Sequence, residues 1–103
     1  MELNHLNVPN LLYLDLSHDE ITSFNYKTCN LGNLRNLHLQ FNKFSKITEE
    51  FCLFFEKLTS LYLNNNIITS INNNFGYLSK NVLYLNLSRN YLKHYPYSLT
   101  NLK

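Results

Sequence analysis

Residues 58–68 read LTSLYLNNNII, and the spacing of their apolar residues decides what the chain can fold into. With Leu58 as position 1, Leu61, Leu63, Asn66 and Ile68 stand at positions 4, 6, 9 and 11. The same five positions return in Leu34, Leu37, Leu39, Asn42 and Phe44, and again in Val82, Leu85, Leu87, Asn90 and Leu92. Ahead of these come Leu11, Leu14, Leu16, Asp19 and Ile21. The four starts lie 23, 24 and 24 residues apart. Apolar residues alternating with polar ones, as in Tyr13, Leu14, Asp15, Leu16, Ser17, mark a strand with one wet face. One such strand per repeat at a near-constant period predicts stacked coils.

The pattern LxxLxLxxNxL resembles the leucine-rich repeat family, over nearly the whole chain from about Leu11 to Leu102. The resemblance implies an α/β solenoid: a right-handed superhelix with a short parallel β-sheet on its concave face and irregular or short helical segments on its convex face. It also implies a role in holding protein partners. Repeats are expected at 11–33, 34–57, 58–81 and 82–103, with residues 1–10 as an incomplete N-terminal edge. Leu3, Leu6 and Val8 are too few to make a polar cap, and none follows Leu102, so the sequence reads as a piece of a longer chain.

Position 9 turns the chain out of the sheet. Asn42, Asn66 and Asn90 are expected to stack there, each amide accepting from and donating to backbone groups that the turn leaves unpaired. Asp19 departs from this ladder, because a carboxylate accepts but cannot donate. A second apolar set fills the convex side: Phe24, Ile47, Ile71 and Tyr95 at position 14, Phe51, Phe75 and Leu99 at position 18, Leu31, Phe54, Leu78 and Leu102 at position 21. Thr48 to Lys57, TEEFCLFFEK, is the most helical of these segments, with Thr48 as cap, Glu49 and Glu50 in the first turn and Lys57 at the end. The other convex segments, rich in Asn and Tyr, are expected to be irregular.

Composition narrows the function. Nine Lys and Arg against seven Asp and Glu are scattered rather than clustered, which speaks against a nucleic-acid partner. No run reaches about 18 apolar residues, so no membrane span is expected. Residues 1–10 have neither the basic start nor the apolar core of a secretory signal, which taken literally leaves the chain in the cytoplasm. With only Gly32 and Gly76, no glycine-rich phosphate loop can be built, and no Cys or His spacing suits a metal. No cofactor, metal or small-molecule substrate is expected.

Three constellations remain. Cys29 and Cys52 both fall at position 19, so adjacent coils bring them within reach of a disulfide, although buried free thiols are the preferred reading. His38 sits between Asp15 and Tyr62 across the sheet, a superficial likeness to an oriented general base. A shallow open sheet cannot exclude water, so the chain is read as not an enzyme. Asn86, Leu87 and Ser88 form an acceptor sequence for glycosylation, relevant only in a secretory compartment.

Function is therefore expected on the outward residues of the strands: Tyr13, Asp15, His18, His38, Phe41, Tyr62, Asn64, Tyr84, Asn86 and Arg89. Stiff aromatics mixed with small polar groups suit an adaptable protein-binding surface. Repeats of 24 residues with a convex Phe resemble those of extracellular recognition proteins, which makes a fragment or short relative of a receptor-like protein the first reading. A small cytosolic scaffold or regulatory subunit docking on an enzyme is the alternative, suggested by the missing signal and the unpaired cysteines.

Overall fold

The structure is a computed structural model and describes residues 1–101. Its strands are β1 (Glu2–Leu3), β2 (Tyr13–Asp15), β3 (Ser23–Phe24), β4 (Asn36–His38), β5 (Lys46–Ile47), β6 (Ser60–Tyr62), β7 (Ser70–Ile71) and β8 (Tyr84–Asn86). Two short helices, α1 (Glu49–Phe54) and α2 (Phe75–Leu78), and a 3-10 turn (Tyr97–Asn101) complete the order. β2, β4, β6 and β8 form one parallel sheet in sequence order, with Tyr13, Asn36, Ser60 and Tyr84 in register. The fold is a solenoid with one concave-face strand per coil.

The strands are only three residues long because the chain must turn after each, yet backbone bonding continues beyond them. Leu39 N–H donates to Tyr62 O (2.8 Å) and Phe41 N–H to Asn64 O (3.1 Å), and the neighbouring coils repeat both bonds. Leu37, Leu39, Leu61 and Leu63 are fully buried, whereas Leu14, Leu16, Leu85 and Leu87 are half-buried. A coil at either end of the sheet packs on one neighbour instead of two. At about 1.5–3 kcal/mol for each fully buried Leu, the two central coils contribute most of the apolar stabilisation.

The asparagine ladder is built from both ends of each amide. Asn66 Nδ2 donates to Leu39 O (3.1 Å) and Leu63 O (3.0 Å), while its Oδ1 accepts from Phe44 N–H (3.0 Å). Asn42 and Asn90 bridge their own coils to the preceding ones in the same way. Asp19 is different: only its backbone N–H takes part, donating to Asn42 Oδ1 (3.0 Å), and its exposed carboxylate makes no hydrogen bond among the described residues. It lies in the first coil of the sheet, where no preceding strand carbonyl needs a donor.

The convex side departs from the sequence expectation in four ways. First, α1 ends at Phe54, short of Lys57. Thr48 caps it, its hydroxyl accepting from Phe51 N–H (3.2 Å), but Phe55 leaves the helical conformation (φ −105, ψ 38) and drops into the core. Lys57 instead donates to Asn33 Oδ1 in the coil before (3.0 Å). Second, this shift moves the buried column by one residue. Leu31 is buried as expected, but Phe55 and Ser79 are buried where Phe54 and Leu78 were expected, and those two are half-buried. The extra residue of the 24-residue coils is absorbed in the convex segment.

Third, the other convex segments are more regular than expected. α2 forms a helical turn, the 3-10 turn packs against it, and β1–β3 and β5–β7 make two small parallel pairs. Residues 1–10 thus supply a convex half-coil, with Leu3 paired to Phe24 and Asn7 to Asn30. Pairing is absent between β3 and β5, and a cleft of about 570 Å³ opens there, bordered by Tyr26, Lys46 and Glu50. Fourth, Tyr95 is exposed rather than part of the core. Leu102 lies outside the described residues.

Gly76 carries a constraint that spacing did not reveal. A Cβ there would overlap the carbonyl of Ser98, so the first turn of α2 and the 3-10 turn approach backbone to backbone. Gly76 N–H donates to the hydroxyl of the buried Ser98 (3.0 Å) at this contact.

Candidate protein-binding face

Alternation along the strands sends positions 3 and 5 to the concave surface. Position 3 carries Tyr13, Asn36, Ser60 and Tyr84, and position 5 carries Asp15, His38, Tyr62 and Asn86. Strand spacing of about 4.8 Å is close to the thickness of stacked rings, so aromatics on adjacent strands meet face to face. His38 and Tyr62 stack with centroids 4.1 Å apart and planes within 8°. Tyr13 joins His38 at 5.1 Å, and Tyr84 joins Tyr62 at 4.9 Å. A continuous aromatic row therefore crosses all four strands. Its outer members, Tyr13 and Tyr84, are 54% and 48% exposed, so the row ends in open ring surface.

A second aromatic pair stands beside this row, His18 on Phe41, with centroids 4.4 Å apart and planes within 9°. Both occupy position 8, and so do Asn65 and Arg89. All four have left-handed backbone, with φ of 62, 59, 59 and 56 respectively. For a residue with a Cβ this conformation costs about 1–2 kcal/mol, and Asn carries it most readily of the four. The turn that begins the asparagine ladder imposes it, and it aims His18, Phe41 and Arg89 away from the core.

The two edges of the sheet are near-copies: Tyr13 to Ser17 reads YLDLS and Tyr84 to Ser88 reads YLNLS. At one edge Asp15 Oδ1 accepts from Ser17 N–H (2.9 Å) and Ser17 Oγ (2.6 Å). At the other, Asn86 Oδ1 accepts from Ser88 N–H (3.0 Å) and Ser88 Oγ (2.7 Å). The Ser17 hydroxyl and N–H bonds, with a smaller contribution from His38 and His18, hold the Asp15 carboxyl below its usual pKa. Gln40, at position 7, contacts His38 Nδ1 through Nε2 (3.4 Å), while its buried Oε1 has no hydrogen-bond partner.

The grouping of Asp15, His38 and Tyr62 is not that of an oriented base. Asp15 is turned to Ser17, and His38 meets Tyr62 through ring faces. Cys29 and Cys52 are both free and buried, not bridged. Burial raises the Cys52 thiol pKa, only partly offset by a hydrogen bond with Ser79. Among the described residues no group of three His, Cys, Asp or Glu side chains could hold a metal, and no helix is long and apolar enough to cross a membrane. Sequence reading placed all ten face residues on the outward columns but did not single out Gln40 or the mirrored Ser17 and Ser88. The repeated YLxLS was the available signal.

The Leucine Rich Repeat family model matches residues 33–54 and 57–78, two consecutive coils, and the chain is a leucine-rich repeat protein. Domains of this family generally serve in protein–protein interaction. No curated protein matches the sequence.

Proposed function

We propose that the chain is a recognition module that seats a protein partner on its concave sheet. The observation that supports this reading is the aromatic row from Tyr13 through His38 and Tyr62 to Tyr84, which offers stiff apolar area in a polar frame. Such rings lose little conformational entropy on binding, which is why they recur as interface anchors. Asp15, His18, Phe41, Asn64, Asn86 and Arg89 supply the surrounding polar and aromatic contacts. Coil length favours a receptor-like, extracellular recognition protein. One observation favours the second reading, a scaffold in a reducing compartment: both cysteines are buried free thiols.

A photo-crosslinking amino acid placed at Tyr62 or Tyr84, with Tyr77 on the convex side as control, tests the face in the native host. Discrete protein adducts from positions 62 and 84 and none from 77 are expected. Adducts from 77 alone would overturn the assignment.

A further inference from the structure

The near-identity of the two sheet edges makes their one difference informative. Tyr13-Leu14-Asp15-Leu16-Ser17 and Tyr84-Leu85-Asn86-Leu87-Ser88 share residues and the same pair of serine hydrogen bonds, so backbone and side-chain frame are matched. They differ by a single charge. Building on the concave face as the binding surface, we infer that the β2 edge is a seat for an arginine side chain of the partner protein.

The chemistry follows from three groups. Tyr13 and Asp15 are two residues apart on one strand, so both face the same side, and His38 is directly across from Asp15 on β4. The Tyr13 ring is 54% exposed and presents an open face. Asp15 uses one oxygen for both bonds to Ser17, which leaves Oδ2 directed to no group among the described residues. Its carboxyl titrates below the usual range and is charged at neutral pH. The single ion pair among the described residues, Lys43 with Glu20 at 3.6 Å, lies elsewhere, so among them no lysine or arginine pairs with Asp15, and only the imidazoles of His38 and His18 act on it. A planar cation that stacks on a tyrosine while donating to a carboxylate is a guanidinium. An ammonium offers neither the plane nor the fork. The Tyr84 edge, neutral at Asn86, gives the same frame without the charge.

A random twelve-residue peptide library selected on the immobilised protein tests the inference, with each selected peptide titrated against wild type, Asp15→Asn, Asn86→Asp and Tyr62→Ser. Because Asn86 already makes the serine bonds in this frame, Asp15→Asn keeps the fold, and a cooperative unfolding transition checks it. Arginine-enriched peptides that lose about tenfold or more in affinity on Asp15→Asn and tolerate no Arg-to-Lys exchange are the expected result. A second arginine subsite appearing with Asn86→Asp would support it further. Peptides that weaken on Tyr62→Ser yet lack arginine and ignore Asp15→Asn would overturn the arginine seat while leaving the concave face standing. Peptides indifferent to all three substitutions, or a selection that yields none, would overturn both.

Discussion

Asn66 reaches back across the gap between coils to the carbonyl of Leu39, 27 residues earlier, with Nδ2 3.1 Å from the oxygen. The same amide holds Leu63 O and Phe44 N–H, so one side chain satisfies three backbone groups in two coils. Asn66→Ala leaves Phe44 N–H buried and unpaired and halves the donors to Leu39 O and Leu63 O, which keep Asn42 and Asn90, and a loss of about 1–3 kcal/mol is expected by urea denaturation. Asp19→Ala, at the equivalent position without side-chain bonds, should stay within about 0.5 kcal/mol. Equal losses at the two sites would contradict the ladder.

Gly76→Ala sets two effects of opposite sign against each other. Helix propensity favours Ala by about 1 kcal/mol. The added methyl group meets the Ser98 backbone, which has no rotamer to yield, and overpacking of this kind costs about 1–3 kcal/mol. Net destabilisation is expected, with faster chymotrypsin cleavage at Tyr97 than in wild type. A stabilised variant would show that the contact between α2 and the 3-10 turn does not persist in solution.

Gln40 holds a buried oxygen with no partner. Rotating the amide by half a turn would exchange the unpaired oxygen for an unpaired nitrogen, so either orientation carries a cost. Gln40→Met keeps the length and removes the polar groups, and a gain of up to about 1 kcal/mol is expected in thermal or urea unfolding. A loss instead would mean that the amide is fully satisfied.

Position 8 offers a trade between stability and binding. Arg89 is held at φ 56, a conformation that Asn65 adopts in the coil before. Arg89→Asn should stabilise the fold by up to about 1 kcal/mol while weakening any partner that meets the β8 edge. Unchanged stability would indicate that the arginine backbone bears no strain.

Asp15 links stability to pH. Its folded pKa is depressed, chiefly by Ser17, so the carboxylate stabilises the fold above the unfolded value of about 3.9 and that contribution fades as pH falls through the folded value. The urea midpoint of wild type should therefore drop more between pH 5 and pH 2 than that of Asp15→Asn. Parallel pH profiles would remove Asp15 from the linkage.

The strands, their parallel order and the ladder were legible because each rests on a short-range rule. Alternation fixes which way Leu61 and Tyr62 point, and an amide carries two N–H donors beside a separate acceptor oxygen, the set that the turn at Asn66 uses. Thr48 as a cap was legible for the same reason. What escaped depends on where neighbouring coils meet. Counting residues from Leu34 put Phe54 in the core, but the end of α1 moved that role to Phe55. Gly76 is a small residue in a helical turn until Ser98 is brought against it. The stacking of His38 on Tyr62 needs strand register and ring rotamers together, and only the first could be read from the repeat.

The missing pairing between Ser23–Phe24 and Lys46–Ile47 gives the solenoid a mechanical character of its own. Along the concave side every coil is tied to the next by backbone bonds, but at this seam the convex side is held by the rings of Phe24, Phe44, Phe51 and Phe55. Ring contacts tolerate small sliding displacements that directional hydrogen bonds resist. Bending between the first and second coils therefore works against ring contacts on the convex side, with the concave sheet as its pivot. A partner gripping the β2 edge loads this ring-held joint directly, and the curvature it meets can adjust there.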